Sequence, residues 1–407
     1  MEEKEREREE EEDIGNGVWS WGAGTEGQLG TNKLKDENFP QFTSFTTKRI
    51  SYIACGGAHV IALSKNDGKV LTWGRGTSGQ LGHGNQNNCL YPLSVNSLES
   101  FFISHVSAGW NHSGFVSNDG RVFTCGDGSF GQLGHGDYQS QFLPIQVMKF
   151  EDKHVEQIAC GMRHTLVLLK GHSANPIYGF GSGKRGQLGV SIDKVRKSCN
   201  LPQIVAGFEE VEIANIIANG DQSAALTVDG HLYSWGKGFS GKSDTHHSPE
   251  SSIPLRFTQV ALGWNHALAL TDLGKLFILG GKHHGMLSDP QKMSLKKCSS
   301  NQSSASIGSK DDSKAPMFRE VPGLDGTKVV DIAAGAEHSA LVTENGRIMT
   351  WGWGEHGQLG LGNEEDQTTP QLVSLAVKLS NCHPRFNVYC GSGFTFAIGN
   401  WSLACQT

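Results

Sequence analysis

The sequence contains no run of about 18 consecutive apolar residues, the length that a membrane-spanning helix requires. Its first residues are polar and charged, so they predict neither a secretory signal nor an Arg/Ser-rich transit peptide. Nine cysteines are present without a CxxC pair or a zinc-finger spacing, as expected for free thiols in a reducing compartment. We therefore expect an intracellular protein, cytoplasmic or nuclear, without a membrane span.

The chain also lacks net charge outside its first residues. Residues 1–13 hold nine of the 41 acidic and three of the 35 basic side chains, so that 32 of each kind are left in the rest. A neutral body argues against nucleic-acid binding through net charge. We interpret residues 1–13 as an acidic, disordered tail.

Glycine, by contrast, is abundant, and much of it lies in a repeated tetrapeptide. The 53 glycines are roughly twice the share of an average protein. Gly-Gln-Leu-Gly occurs five times, at Gly27–Gly30, Gly79–Gly82, Gly131–Gly134, Gly186–Gly189 and Gly357–Gly360. The long interval before the last copy has room for two degenerate copies, which we place at Gly241 and Gly285. A period of roughly 50 residues then predicts seven repeats.

A second marker precedes each tetrapeptide: a small apolar residue, usually a glycine, two variable residues and usually a histidine. Its seven copies are residues 55–59, 108–112, 160–164, 218–222, 262–266, 334–338 and 390–394. Asn219 replaces the glycine in the fourth copy. We interpret this as a left-handed backbone position, which Asn tolerates best after Gly.

Hairpin turns and an aromatic-glycine step complete each repeat. Asn118-Asp119-Gly120 is typical of the turns and Trp73-Gly74 of the steps. Each repeat therefore predicts four short antiparallel strands, and seven such units predict an all-β, seven-bladed β-propeller over residues 14–407. The last repeat is incomplete, and its missing half lies in Val18–Gly30. We predict that these N-terminal strands complete the last blade and close the ring, whereas a linear β-solenoid would leave an exposed edge.

One segment departs from the repeat. Residues 287–317 are rich in serine and lysine and too polar to pack. We interpret them as a disordered loop of the fifth blade.

These markers together resemble the repeats of the regulator-of-chromosome-condensation family, from about Val18 to Ile398. The resemblance implies a seven-bladed propeller. It also implies a protein partner, and a small GTPase is one candidate because the founding member is an exchange factor for Ran. Trp351–Gly357 is similar to the last-repeat motif of secretion-linked, exchange-factor-like members.

In the founding member, exchange residues occupy the position before the repeat histidine. That position holds Ala58, Asn111, Arg163, Asp221, Asn265, Glu337 and Gly393 here. The founding member also has an inserted wedge hairpin and a basic tail, and neither has a counterpart in this sequence. Both differences count against Ran and chromatin as partners.

The plant ultraviolet-B photoreceptor of this family senses light through tryptophans in Gly-Trp-Arg-His-Thr loops. Here the loop tryptophans are Trp110 and Trp264, and no loop combines Trp with Arg. They belong to the second and fifth blades, which lie nearly opposite in a ring of seven, so we expect that the two rings do not stack. Light sensing by that mechanism is therefore disfavoured.

Trp110 and Trp264 nevertheless occupy a position that holds smaller side chains in the other loops. Because packing does not demand a tryptophan there, we predict binding anchors, with local packing as the alternative. The predicted partner-binding residues are Trp110, Asn111, Arg163, Asp221, Trp264, Asn265 and Glu337. The leading hypothesis is a regulatory scaffold or adaptor, and a guanine-nucleotide exchange factor for a small GTPase is the alternative.

The other repeated residues have structural interpretations. We predict that the histidines form hydrogen bonds within their own loops, and that Cys55, Cys160 and Cys390 are small core fillers. The glycines recur with the repeat and are interpreted as turn glycines. We predict no metal site, no cofactor and no enzymatic chemistry.

Overall fold

The computed structural model describes residues 17–43, 49–171, 176–190, 197–237, 244–247, 255–281, 318–375 and 385–400. These residues contain 28 strands, β1 to β28, and the 3₁₀ helices Asn96–Leu98 and Met148–Phe150. Within the described ranges no helix is long and apolar enough to cross a membrane. The predicted tail at 1–13, the predicted loop at 287–317 and the degenerate copies at Gly241 and Gly285 lie outside them.

The strands form seven four-stranded antiparallel sheets, so the predicted seven-bladed propeller is confirmed. The first, innermost strands are β3 (Ile50–Cys55), β7 (Ile103–Ala108), β11 (Val155–Cys160), β15 (Ile213–Asn219), β19 (Phe257–Leu262), β23 (Val329–Ala334) and β27 (Arg385–Cys390). The second strands are β4 (His59–Ser64), β8 (His112–Ser117), β12 (His164–Leu169), β16 (Gln222–Thr227), β20 (His266–Thr271), β24 (His338–Thr343) and β28 (Phe394–Asn400). The third strands are β5 (Val70–Gly74), β9 (Val122–Gly126), β13 (Ile177–Ser182), β17 (Leu232–Gly236), β21 (Leu276–Gly280), β25 (Ile348–Gly352) and β1 (Gly17–Gly22). The outer strands are β6 (Cys89–Ser94), β10 (Gln141–Gln146), β14 (Ser198–Ile204), β18 (Asp244–His247), β22 (Arg319–Glu320), β26 (Gln367–Leu372) and β2 (Glu37–Thr43).

The last blade combines both ends of the chain. β1 pairs with β28 from Gly17 opposite Gly399 to Gly22 opposite Phe394, and β2 pairs with β1 on its other side. The sheet order β2-β1-β28-β27 therefore places N-terminal strands in the seventh blade. The predicted closure of the ring is confirmed, and it removes an open sheet edge.

The hydrophobic core lies between the blades. Seven clusters of buried side chains each join two neighbouring blades. Trp21, Trp73 and Trp351 of the aromatic-glycine steps are at most 1% exposed, as expected for packing residues. Burying a large apolar side chain contributes ~1.5–3 kcal/mol, so these interfaces stabilise the ring.

The Gly-Gln-Leu-Gly tetrapeptide joins strands within a blade and between blades. The Gln80 side-chain oxygen accepts a hydrogen bond from Ser78 N–H at 2.8 Å, and the Leu81 carbonyl accepts one from the Thr72 hydroxyl at 2.7 Å. The Gln28 carbonyl accepts a bond from the Trp73 indole of the next blade at 2.9 Å. The repeat therefore fixes the turn that follows each third strand.

Candidate functional site

The loops of the glycine-histidine marker converge at one end of a central channel. The channel has a volume of about 690 Å³ and is lined by the first strands of all seven blades. At its end, marker loops surround a smaller cavity of about 60 Å³. We call this end the mouth and define it by residues 55–58, 108–111, 160–163, 218–221, 262–265, 334–337 and 390–393.

Backbone hydrogen bonds join the mouth loops of neighbouring blades. Six of the seven loops donate an N–H to a carbonyl in the next blade, for example Trp110 to Gly161 at 3.2 Å and Trp264 to Ala336 at 2.9 Å. The fourth and fifth blades are joined by side chains instead, because Asn219 Nδ2 donates to the Leu262 carbonyl at 2.6 Å. These bonds hold the loop backbone in place, so the conformation of the loops does not depend on the side chains of Trp110 and Trp264.

A second loop of each blade lies beside the first. In all seven blades, the N–H that follows the aromatic-glycine step donates to the carbonyl of the residue before the repeat histidine, as from Arg75 to Ala58 at 2.8 Å. Gly74 has a φ of 96°, and a Cβ there would lie 2.5 Å from the Ala58 oxygen. Glycine is required at this step, and it brings the side chains of both loops together at the rim of the mouth.

The repeat histidines bind the next blade rather than their own loop, so the predicted partner was wrong. Each Nε2 lies 2.9–3.0 Å from a serine or threonine hydroxyl one blade further on. The pairs are His59–Ser113, His112–Thr165, His164–Ser223, His266–Ser339 and His338–Thr395. The histidines are structural hydrogen-bonding residues, as expected, but they stabilise the interfaces.

These histidines are neutral because they are buried. The Ser113 hydroxyl donates to the Gln80 carbonyl at 2.7 Å, so it must accept its second bond from the His59 Nε2–H. Burial lowers the pKa of His59, His164 and His338 to about 3 and that of His112 and His266 to about 4. None of them is suited to proton transfer near neutral pH.

Two interfaces replace this polar pair, and both partners change together. Phe394 takes the histidine position in the seventh blade and packs against Val60 in the hydroxyl position of the first. Gln222 occupies the histidine position in the fourth blade, and Ala267 occupies the hydroxyl position opposite it. The Gln222 Nε2 donates to the Trp264 carbonyl at 2.7 Å. A hydroxyl is thus present only where a histidine can donate to it.

The marker requires glycine because the histidine side chain of the same loop leaves no room for a Cβ. The interpretation of Asn219 as a left-handed backbone position was therefore wrong. Of the non-glycine residues described, only Asn32 has a positive φ, and the marker glycines are not left-handed either. A Cβ on Gly161 would lie 2.2 Å from the His164 ring, and one on Gly335 would lie 2.1 Å from that of His338. Asn219 fits because Gln222 replaces the ring in its loop.

Trp110 and Trp264 contact each other across the mouth although their blades lie nearly opposite, and their rings are tilted rather than stacked. Their ring centroids are 5.2 Å apart with an interplanar angle of 54°. The ring of blades narrows to a small cavity at the mouth, and long side chains reach across it. Arg75 lies 5.8 Å from the Trp110 ring centroid. Both tryptophans are half-buried.

The other predicted site residues form separate groups around this pair. Asn265 accepts a bond from Lys237 Nζ at 3.2 Å and donates to Glu337 at 3.0 Å. Asn111 accepts a bond from Arg75 at 2.9 Å, and Asp221 accepts one from Gln187 at 3.1 Å. Arg163 lies over the Phe130 ring at 4.8 Å and is exposed. All seven predicted residues are on the mouth loops, but they do not form one cluster.

The sequence interpretation missed the residues contributed by the second loops. Arg75, Lys237 and Trp353 directly follow the aromatic-glycine step, and Lys184 and Phe130 lie three and four residues after the glycine of that step. The available signal was variation next to a repeated dipeptide. If the step served strand packing alone, variation in the residues after it would carry no functional meaning. The backbone bond between the two loops places those residues at the rim of the mouth.

The sequence matches a phosphate-loop pattern, GxxxxGK[ST], at Gly236–Ser243. Its first glycine is the aromatic-glycine step of the fourth blade, and the pattern is followed by strand β18. A phosphate loop instead opens a helix whose N-terminus binds the phosphates. The pattern here is explained by the repeat.

The cysteines of the first strands are not reactive thiols. Cys160 is buried, Cys55 and Cys390 are half-buried beside the channel, and all three pack against the interface clusters. Burial raises the pKa of Cys160 and Cys390 to about 12. A thiol of such high pKa is a poor nucleophile at neutral pH.

Fold and site together define a seven-bladed propeller whose repeated loops converge at one end of the central channel. The family model of the RCC1-like domain matches residues 17–397, and the chain belongs to that family. The family predicted from the repeats is thereby confirmed.

Three comparisons describe its relatives. The ultraviolet-B receptor UVR8 of Arabidopsis thaliana is 29% identical over 368 residues, covering 88% of this chain and 78% of that protein. The secretion-regulating guanine nucleotide exchange factor of Bos taurus is 30% identical over 398 residues, covering 94% and 82%. The crystal structure of Prp20p from Saccharomyces cerevisiae has a TM-score of 0.78 at 23% identity, covering 95% of this chain and 91% of that one. The last comparison concerns the fold alone.

Proposed function

We propose that this propeller is a regulatory scaffold or adaptor that binds a protein partner at the mouth. The observation that carries the proposal is the contact between Trp110 and Trp264, which are half-buried at the centre of the face. Tryptophan is among the residues that most often dominate binding energy when a partner covers it. Charged side chains of Arg163, Asp221 and Glu337 surround the pair and set specificity.

The structural interpretation of the pair is that the two rings merely pack on each other. Two features support binding instead. Interblade backbone bonds hold both loops, and Gly57, Met162, Gly220, Ala336 and Ser392 occupy the same loop position elsewhere without a large aromatic ring. The repeat therefore folds its loops without tryptophan.

The test is affinity capture from the native cell with the wild-type protein and the double variant Trp110→Ala/Trp264→Ala. Tyr91→Ala/Tyr138→Ala is the matched control, because these tyrosines are 54% and 48% exposed and lie outside the mouth. Partners retained by the control and lost by the tryptophan variant support the proposal. Identical capture by all three proteins would contradict it.

The second candidate function is nucleotide exchange on a small GTPase, favoured by the similarity to the bovine exchange factor over 94% of this chain. Exchange needs no covalent chemistry, only tighter binding of the nucleotide-free GTPase than of the loaded one. The position before the repeat histidine, with Arg163, Asp221 and Glu337, faces the mouth rim where such a partner would dock. Nucleotide release measured over a panel of purified GTPases separates this function from scaffolding.

A further inference from the structure

The third blade carries a concentration of positive charge at the rim of the mouth. Arg163 and Lys184 lie 4.8 Å and 6.0 Å from the Phe130 ring centroid, and both are exposed. Arg185 is the next residue and is also exposed. We call these four residues the cationic patch.

The fold does not require these charges. The position of Lys184 holds Thr25, Thr77, Ser129 or Glu355 in other blades, and the loops keep the same backbone bonds. Within the described residues, no carboxylate forms a salt bridge with Arg163 or Lys184. The guanidinium of Arg163 presents a face to Phe130, so the N–H groups at its edge are left for a partner.

The opposite side of the mouth has the reverse charge at the same positions. Glu337 and Glu355 of the sixth blade correspond to Arg163 and Lys184 of the third, three blades away. Asp36 adds a carboxylate there, 3.0 Å from His356. A partner with one acidic side would be oriented by this polarity, with that side on the third blade.

We propose that the cationic patch binds an acidic segment of the protein partner, rich in Asp or Glu, while the tryptophan pair anchors the centre. This inference rests on the proposed function. Arg pairs with carboxylates through two parallel N–H bonds, and successive carboxylates of one segment reach both Arg163 and Lys184. Asp127 and Asp221, on adjoining loops, limit the positive potential and favour singly charged carboxylates over doubly charged phosphates.

The test uses fluorescence anisotropy at low ionic strength with a fluorescein-labelled peptide of alternating Glu and Gly. The double variant Arg163→Gln/Lys184→Gln is compared with Arg121→Gln/Lys153→Gln. The control removes the same charge and two similar cation–ring contacts, to Phe101 and Tyr178, from the other face of the propeller. We expect the patch variant to bind the peptide about fivefold more weakly, the control within about twofold of wild type, and added salt to weaken binding.

Three results would overturn the inference: no binding by the wild type, equal weakening in both variants, or tighter binding of a phosphoserine–Gly peptide of equal formal charge. A partner lost by Trp110→Ala/Trp264→Ala but bound unchanged by Arg163→Gln/Lys184→Gln would overturn this inference and the role given to Arg163, and would leave the proposed binding through the tryptophan pair standing.

Discussion

The blade interfaces and the mouth rim are built from the same repeat, yet five of the seven interfaces keep its histidine–hydroxyl pair, whereas the rim residues differ from blade to blade. The third and sixth blades present the same glycine and histidine to their neighbours. At the rim, the same two blades carry Arg163 and Lys184 in one and Glu337 and Glu355 in the other. Residues that hold the ring recur because every interface has a similar geometry, whereas the fold does not fix the identity of the rim residues.

The largest expected effect follows from breaking the ring. Deletion of residues 1–30 removes β1, so β28 keeps β27 but loses its other neighbouring strand, and a buried sheet edge is exposed. We expect loss of cooperative thermal unfolding and aggregation, measured by circular dichroism and size-exclusion chromatography. Deletion of residues 1–13 keeps every ring strand and should leave the Tm almost unchanged; equal melting of both truncations would contradict closure.

An intermediate effect is expected from crowding one interface. Gly161→Ala places a Cβ 2.2 Å from the His164 ring, which must move. We expect a loss of about 2 kcal/mol in the free energy of unfolding, measured with denaturant. Adding His164→Gln copies the Asn219/Gln222 loop and should recover part of it, so strictly additive costs would refute the steric explanation.

A smaller effect concerns the pH dependence of the interfaces. The five buried histidines have folded-state pKa values of about 3 or 4 against 6.5 in the unfolded chain. The unfolded state therefore binds more protons, and stability falls as the pH drops below 6.5, by up to about 1.4 kcal/mol per pH unit for each histidine. Burial raises the pKa of Asp331, so the folded state holds this proton more tightly than the unfolded chain does. This one carboxyl group therefore stabilises the fold as the pH falls and opposes the effect of the histidines.

The variant that sharpens this prediction is His266→Gln/Ser339→Ala, which copies the Gln222 and Ala267 pair of the fourth interface. It removes one titrating histidine, so the free energy of unfolding should depend less steeply on pH between about pH 7 and pH 5. An unchanged slope would show that His266 does not contribute.

The comparison also explains what the sequence could predict. Repeats, blade number and closure followed from periodic markers, because each marker performs the same local task in every blade. The contact between Trp110 and Trp264 did not follow, because spacing along the chain gives the order of blades but not the narrow width of the mouth. The partners of the histidines were missed for a related reason, since each bond joins residues one repeat apart, such as His59 and Ser113.

The rim residues were predicted only in part. Arg163 was found because its loop carries the repeat histidine, whereas Phe130 and Lys184 lie on the second loops. The backbone bond from Ser182 to Arg163 brings the loop of Lys184 beside that of Arg163, and Phe130 reaches Arg163 from the neighbouring second blade. Nothing local in the sequence reports that bond.

The central claim is that the mouth binds a protein through its tryptophan pair. The most direct measurement is the affinity of an identified partner for Trp110→Ala/Trp264→Ala by isothermal titration calorimetry, with the Tm of the same protein. We predict a nearly unchanged Tm, because backbone bonds hold both loops, and a loss of affinity of about tenfold or more. A stably folded double variant that binds its partner with wild-type affinity would contradict the account.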